Sequence, residues 1–204
     1  MLKQFYEKDN IEVGIDEAGR GCLFGPVCVA AVILNDITLN PPPYEIKDSK
    51  KCSPKKRKAL KEYIEENAVA YSVQFISEKD IDSMNILQAT VKGMHLCIDE
   101  IVKQINIDTL LVDGNYFPWY TNQETFDVIP HVCIQGGDNE YLNIAAASIL
   151  AKEYRDEYIL KLVEENTLLE KYEIQKNKGY GTQKHIAALK ENGRTMWHRT
   201  SFKY

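Results

Sequence analysis

Two aspartates stand at the ends of apolar runs that have the composition of β-strands. Asp16 closes the run over 11–16, and Asp113 closes the run over 109–113. Either residue alone is explained more simply as a turn-initiating cap. In sheets of this kind ligands gather at the carboxyl ends of strands, so the two carboxylates are expected to share one crevice. Oxygen ligands of this type predict a Mg²⁺ or Mn²⁺ site.

Glu17 and Asp138 are two further candidates for the same site. Glu17 follows Asp16 directly, and successive strand side chains face opposite ways, so both can serve one site only if regular strand geometry ends there. Gly19 and Gly21 follow and would allow such a bend. Asp138 precedes a predicted long helix, where an ordinary N-cap is the competing interpretation.

The segment from Gly19 to Gly25 is rich in glycine and carries one arginine, Arg20. It lacks the Gly-Lys-Ser/Thr of a P-loop. Its glycine spacing is one residue too long for a dinucleotide-binding turn, and it leads into a strand rather than a helix. Glycines flanking an arginine still let backbone amides approach a phosphate or ribose closely, which suits a nucleic-acid strand.

The charge of the chain limits how it could bind nucleic acid. The net charge is −5, which argues against indiscriminate coating of phosphates and requires a local basic patch. Two groups of basic residues could supply one, although each could equally be a solvated helix face. They are Lys47, Lys50, Lys51, Lys55, Lys56, Arg57 and Lys58 in the first group, and Lys176, Lys178 and Lys184 in the second.

Composition excludes several other classes of protein. The 204 residues are 44% hydrophobic and 27% charged, as expected for one soluble globular domain over 1–204. No signal peptide or membrane span is recognisable, so we expect a cytoplasmic protein. The five cysteines form no Cys-x-x-Cys pair, and the pairs His95-x-Cys97 and His131-x-Cys133 lack the four-ligand spacing of a zinc site.

Hydrophobic periodicity predicts an α/β fold, with a central mixed β-sheet flanked by helices. Predicted strands lie over 11–16, 26–34, 69–76, 109–113 and 128–134, the last interrupted by Pro130; predicted helices lie over 54–67, 85–105, 140–165 and 182–192. Small residues over 145–148 should let another backbone come close to the long helix. Asp156, beside Arg155 on that helix, is interpreted as part of a structural ion pair.

Several motifs, in order, resemble the ribonuclease HII family over nearly the whole chain. The first is Gly14-Ile-Asp16-Glu17-Ala-Gly19-Arg20-Gly21, continuing to Gly25-Pro26-Val27. The others are Asp48-Ser-Lys-Lys51, Asn85-Ile-Leu87, Val112-Asp-Gly-Asn115, Gly137-Asp138, Ala146-Ala-Ser-Ile-Leu-Ala-Lys152, Lys178-Gly-Tyr-Gly-Thr182 and His198-Arg-Thr-Ser-Phe202.

The resemblance implies a ribonuclease H-like fold and a metal-dependent endonuclease. It implies hydrolysis of RNA–DNA hybrids and nicking at ribonucleotides embedded in duplex DNA, with 5′-phosphate and 3′-hydroxyl ends. Asp16, Glu17, Asp113 and Asp138 match the family's catalytic, metal-binding carboxylates, which promotes Asp138 above the N-cap interpretation. Gly19, Arg20 and Gly21 match its ribonucleotide-recognition loop, and Tyr180 its junction-stacking tyrosine. Lys50, Lys51 and Lys184 are our candidate phosphate contacts.

The match has departures and leaves rival functions to test. Cys22 and Phe24 replace the family's usual proline and small residue, Asn177 stands where histidine is common, and the stretch over 116–130 is long. Ribonuclease HIII is disfavoured because only about a dozen residues precede the first predicted strand. A junction resolvase and a catalytically silent nucleic-acid-binding protein are the rivals. We expect a monomer.

Overall fold

The computed structural model describes residues 2–204, and a five-stranded mixed sheet forms its centre. The strands of the chain are β1 (Glu12–Ala18), β2 (Val27–Leu34), β3 (Ala68–Ile76), β4 (Thr109–Asp113), β5 (Tyr120–Thr121), β6 (Val128–Ile129) and β7 (His131–Ile134). The central order is β3-β2-β1-β4-β7. β1, β2 and β3 pair antiparallel, whereas β4 is parallel to both β1 and β7. The predicted mixed sheet is therefore confirmed.

Helices cover both faces of this sheet. They are α1 (Pro54–Asn67), α2 (Glu78–Met84), α3 (Ile86–Val102), α4 (Leu142–Glu165), α5 (Ile174–Asn177) and α6 (Gln183–Asn192). One face carries the core built with α3, and the other carries the core built with α1 and α4. Helix α4 lies so close to β1 that a Cβ on Gly14 would stand 2.1 Å from the backbone carbon of Asn143. Glycine is therefore required where the central strand meets the long helix.

The predicted elements differ from the observed ones mainly at their ends. β1 continues past Asp16 to Ala18 and remains paired with β2, so the prediction that regular strand geometry stops at Asp16 is wrong. Pairing of β1 with β4 does stop at Ile15–Val112. Beyond that point β1 is not paired with β4, and the bend that Gly19 and Gly21 would allow is not needed to bring Glu17 to the site.

Local signals placed the helix starts well. Ser53 caps α1 and Asn85 caps α3 through side-chain hydrogen bonds to backbone amides, as the sequence indicates. The long helix begins at Leu142 with Tyr141 as its N-cap and no side-chain cap, so the N-cap interpretation of Asp138 is wrong. The short helices α2 and α5 were not predicted. Pro130 divides the predicted last strand into β6 and β7.

The C-terminal segment folds back against the glycine-rich loop that follows β1. Leu23, Phe24, α4 and α6 share a small apolar core. Asp82 of α2 accepts four hydrogen bonds from the amides and hydroxyls of Thr200 and Ser201. Within residues 2–204, no helix is long and apolar enough to cross a bilayer.

Candidate active site

Two strand ends carry carboxylates into one cavity. Ile15 pairs with Val112 in the parallel β1–β4 ladder, so the next residue of each strand, Asp16 and Asp113, stand side by side. Both line a cavity of about 270 Å³. The shared crevice expected from the sequence is therefore present at this edge of the sheet.

Glu17 joins the same cavity although it follows Asp16 on a regular strand. It also lines a second cavity, of about 180 Å³, which it shares with Arg20 and Asp113. Its Oε1 lies 3.5 Å from the Arg20 guanidinium. Pairing of β1 with β4 stops before this point, and Glu17 lines both cavities.

Burial and mutual repulsion raise the pKa of the acidic residues. The pKa of Asp16 is held well above its usual value by burial first, and then by the charges of Glu17 and Asp113; a Ser148 hydroxyl partly offsets this. Burial also raises the pKa of Glu17 against the opposing effect of Arg20. Ionised carboxylates are therefore costly here unless a cation compensates them.

Asp113 and Asp138 meet at a tight turn after β7. The Gly137 amide donates a 2.7 Å hydrogen bond to Asp113 Oδ1. Burial raises the pKa of Asp113, and the Gly137 amide opposes that rise. Asp138 lies in the short 3₁₀ turn Gly137–Asn139 beside the cavity and not among its lining residues. Burial raises the pKa of Asp138, and the charges of Asp48 and Asp113 raise it further.

The acidic residues have the donor chemistry of a divalent-cation site. Carboxylate oxygens are the ligands that Mg²⁺ and Mn²⁺ prefer, and a bound cation removes the penalty that burial and crowding impose. Within residues 2–204, no three histidine, cysteine, aspartate or glutamate side chains stand close enough to form a preassembled metal cluster. Binding one ion through three carboxylates therefore requires these groups to move closer together.

Two buried arginines hold the glycine-rich loop from behind. Arg155 donates hydrogen bonds to the carbonyls of Phe24, Pro26 and Lys178, at 2.8 to 3.0 Å. A Cβ on Gly19, where φ is +88°, would stand 1.9 Å from the Arg155 Nε. Glycine is needed at that position both for the backbone conformation and for the space that the guanidinium occupies.

Arg199 completes the support of the same loop. Its guanidinium donates to the carbonyls of Gly19, Arg20 and Gly25, at 2.8 to 2.9 Å. Burial lowers the pKa of Arg199 to about 10, which leaves it charged at neutral pH. Because these carbonyls turn inward to the arginine, Gly19, Arg20 and Gly21 line the cavity from a fixed backbone.

Tyr180 and Lys152 line the same cavity as the acidic residues. The Lys152 ammonium lies 5.8 Å from the centre of the Tyr180 ring and 2.7 Å from Asp156. Asp156 also lies 3.8 Å from the Arg57 guanidinium. The predicted structural ion pair of Asp156 is therefore confirmed, with these partners in place of its sequence neighbour Arg155.

The three lysines proposed as phosphate contacts occupy different positions. Lys50 lines the cavity, and its charge partly offsets the rise in the pKa of Glu17 and of Asp113. Lys51 donates to the Asn139 side chain. Lys184 is exposed and 3.6 Å from Glu173. Neither Lys51 nor Lys184 lines the cavity.

Four residues that line the cavity were not predicted as site residues: Ala18, Ser49, Ser148 and Lys152. The hydroxyls of Ser49 and Ser148 lie 3.0 Å apart. Ser148 and Lys152 are four residues apart on the long helix and so share one face. That spacing was visible in the sequence and could have identified the helix face that borders the site.

Three of the four departures from the family pattern have structural explanations. Asn177 accepts a 2.7 Å hydrogen bond from the Gly179 amide and donates to the Tyr172 carbonyl, which stabilises the turn before Tyr180. Phe24 is fully buried, with its ring 4.9 Å from that of His198. The long stretch over 116–130 contains the β5–β6 hairpin.

The family model described as ribonuclease HII matches residues 13–204 of this chain. The ribonuclease HII of Bacteroides thetaiotaomicron is 46% identical over 202 residues, which cover 99% of this chain and 94% of the relative. The chain belongs to the ribonuclease HII family. It is accordingly a type 2 ribonuclease H, a hydrolase of the metal-dependent ribonuclease H group.

Solved structures of ribonucleases HII and HIII have the same fold. The ribonuclease HII in the PCNA complex from Archaeoglobus fulgidus superposes with a TM-score of 0.70 at 26% identity, covering 95% of this chain and 96% of that one. A Bst-RNase HIII in complex with Mn²⁺ superposes with a TM-score of 0.61 at 18% identity, covering 90% of this chain and 70% of that one. The predicted ribonuclease H-like fold is confirmed.

Proposed function

We propose that this ribonuclease HII cleaves the RNA strand of RNA–DNA hybrids and nicks at single ribonucleotides embedded in duplex DNA, leaving 5′-phosphate and 3′-hydroxyl ends. One observation carries the proposal: acidic residues, the Gly19–Gly21 loop and Tyr180 all line the same cavity. A site that cuts only at ribose needs metal-binding carboxylates and a means of detecting the 2′-hydroxyl within reach of one nucleotide.

The acidic residues would hold the metal. Asp16, Glu17 and Asp113 line the cavity, and Asp138 lies near enough to Asp113 for their charges to interact. Bound Mn²⁺ or Mg²⁺, as two ions, would supply an activated water and stabilise the charge on the leaving 3′-oxygen. The metal of the Bst-RNase HIII complex favours Mn²⁺ as the first ion to test.

The protein's own groups would bind and orient the nucleic acid. The hydrogen bonds that Arg155 and Arg199 donate to the Phe24 and Gly19 carbonyls fix the loop backbone, so its amides can approach the 2′-hydroxyl without reorganisation. Lys50 and Lys152 line the same cavity, where their positive charges would attract the scissile phosphate. Tyr180 offers a half-exposed ring for stacking on the neighbouring sugar or base.

Cleavage of matched duplexes tests the proposal. One duplex carries a single ribonucleotide, its twin is all DNA, and a third is a long RNA–DNA hybrid, each assayed with Mn²⁺, with Mg²⁺ and with chelator. We expect metal-dependent cutting of the first and third, with the site mapped to one nucleotide. Equal cutting of the all-DNA twin would favour a junction resolvase, and binding without cutting would favour a silent nucleic-acid-binding protein.

A further inference from the structure

Two buried histidines lie behind Tyr180 and are not used by the proposed chemistry. His185 of α6 is 0% exposed and His198 of the C-terminal segment is 2% exposed. Their Nε2 atoms are 3.1 Å apart. A hydrogen bond between two imidazoles needs one protonated and one bare nitrogen, so the tautomers of the pair must differ.

The groups at the two ends of the pair determine which tautomer each ring adopts. At one end the Thr195 amide donates a 2.9 Å hydrogen bond to His198 Nδ1, which must therefore be bare. At the other end His185 Nδ1 lies 2.9 Å from the Tyr180 carbonyl oxygen, which can only accept, so this nitrogen carries the proton. Neutral rings then have hydrogen on Nε2 of His198 and none on Nε2 of His185, as their contact requires.

The surroundings keep both rings neutral. Burial lowers the pKa of His185, and burial together with His185 and the Arg194 guanidinium lowers the pKa of His198 to about 4. The other neighbours are the rings of Phe24, 4.9 Å from His198, and Tyr172, 5.0 Å from it. Neither ring supplies a negative charge at neutral pH that would stabilise an imidazolium.

We propose that Thr195, His198 and His185 form a fixed hydrogen-bond relay that holds the Tyr180 carbonyl and so positions the Tyr180 ring at the cavity. The same carbonyl accepts a 2.8 Å hydrogen bond from the Thr182 amide. The residue is thus held through its backbone while its side chain remains 41% exposed to the cavity. The histidines are positioning residues. This inference rests on the proposed function, in which Tyr180 contacts the substrate.

The relay itself can be tested without any assay of activity. The chain has four histidines, so ¹⁵N–¹H correlation spectra of the imidazole rings can be assigned with single variants. At pH 6 to 7 we expect His198 to be protonated on Nε2 and His185 on Nδ1, with both rings neutral. Identical tautomers for the two rings, or a dominant imidazolium at either position, would overturn the relay.

Kinetics on the single-ribonucleotide duplex then test positioning. His185→Phe keeps a ring but loses the donor to Tyr180, and we expect kcat/KM to fall about tenfold. His185→Asn retains a side-chain N–H at the same reach and should recover most of that loss. His95→Phe is the matched control, because His95 packs against Phe117 and Tyr120 away from this cavity, and it should leave kcat/KM unchanged.

A double variant decides whether the histidine acts through the tyrosine. If it does, adding His185→Phe to Tyr180→Ala should cause no further loss, because the positioned ring is already gone. Additive losses in an active enzyme would overturn the relay while leaving the proposed function intact. A wild-type protein that cuts no ribonucleotide-containing duplex would overturn the proposed function and the purpose of the relay together. If His185→Phe does not fold, the wild-type tautomers and the His185→Asn kinetics decide.

Discussion

Two neighbouring regions of the molecule contain buried charged side chains. In one region these side chains lack compensating partners, and in the other they have them. In the acidic region, Asp16 has carboxylate neighbours that raise its pKa on top of the effect of burial. In the region behind the glycine-rich loop, Arg155 is fully buried but donates to three carbonyls. A buried charged group whose hydrogen bonds are all made is part of the scaffold. A buried charged group without compensating partners indicates a site where a ligand binds.

The two regions also respond in opposite directions to pH. A carboxylate with a raised pKa binds its proton in the folded state first, so the metal-free protein loses stability as pH rises through that pKa. In the region behind the loop, His198 packs against Phe24 and has a lowered pKa, so it stays neutral in the folded state. Stability therefore falls as the pH drops below the pKa that the histidine has in the unfolded chain. The dependence of stability on pH therefore distinguishes the two regions.

Replacing Asp16 should produce the largest effect. Asp16→Asn keeps the shape of the side chain and its hydrogen bond from the Glu17 amide but removes a charged metal ligand. We expect cleavage of the single-ribonucleotide duplex to fall by about a thousandfold or more, the scale of the several kcal/mol that metal ions contribute to such reactions. Single-turnover rates with Mn²⁺ measure it. Near-normal rates in Asp16→Asn would mean that the acidic region is not catalytic.

Removing an arginine from the scaffold should cost stability instead. Arg155→Met removes the guanidinium donor from three carbonyls, two of them in buried hydrogen bonds, and we expect the free energy of unfolding to fall by about 3 kcal/mol or more. Urea denaturation measures the change. Lys161→Met is the matched control on the same helix, since Lys161 is exposed and makes only a 3.9 Å surface pair with Glu165. Equal effects from the two variants would remove Arg155 from the scaffold.

Because of the histidine pair, we expect the folded protein to lose stability at acidic pH. The pKa of His198 is about 4 in the folded protein, against an ordinary value near 6.5 in the unfolded chain. Its contribution is therefore complete above about pH 6.5 and is lost progressively between pH 6.5 and 4, by roughly 1–3 kcal/mol. Urea denaturation at pH 7 and pH 4.5 measures the loss, and His198→Gln should reduce the pH dependence. A pH dependence that survives in this variant would have to come from other groups.

Removing one carboxylate charge from the acidic region should stabilise the metal-free protein slightly. Asp16→Asn removes one of the repelling buried charges, so at pH 7 we expect the free energy of unfolding to rise by about 1 kcal/mol in the presence of chelator. Mn²⁺ should raise the Tm of the wild-type protein by binding the folded state, and should do so less in the variant. Lower stability of Asp16→Asn in chelator would contradict the view that this carboxylate is uncompensated.

Local patterns in the sequence predicted the parts of the fold that local chemistry determines. Apolar runs ending in Asp16 and Asp113 placed both carboxylates at one sheet edge, because a parallel register brings the ends of neighbouring strands together. The position of Glu17 was predicted for the wrong reason. The strand does not bend, and its pairing with β4 stops one residue before Asp16.

The scaffold was hidden because its partners are far apart along the chain. The Arg199 guanidinium binds the Gly19 carbonyl, 180 residues away. Hydrophobic periodicity does not indicate that a buried arginine will donate to backbone carbonyls. From the sequence, Arg155 was considered only as the neighbour of Asp156 in a structural ion pair. Every residue has a backbone carbonyl, so the type of the accepting residue does not indicate a long-range hydrogen bond. The roles of Arg155 and Arg199 therefore could not be predicted from the sequence.

The smallest predicted effects concern the three lysines and would show how far the basic surface extends from the acidic region. Each lysine that neutralises a phosphate should contribute about one unit to the slope of log K against log salt. Lys50 lines the cavity, so Lys50→Ala should reduce the slope of duplex binding by about that amount. Lys51 and Lys184 are engaged with Asn139 and Glu173, so each must exchange that partner for a phosphate to have the same effect.

Binding of a non-cleavable duplex across a salt series measures these slopes. Lys103→Ala is the control, because Lys103 is exposed beside Glu100 and does not line the cavity. An unchanged slope for Lys51→Ala or Lys184→Ala would remove that lysine from the substrate contacts. An unchanged slope for Lys50→Ala would mean that its charge serves the carboxylates around it rather than the nucleic acid.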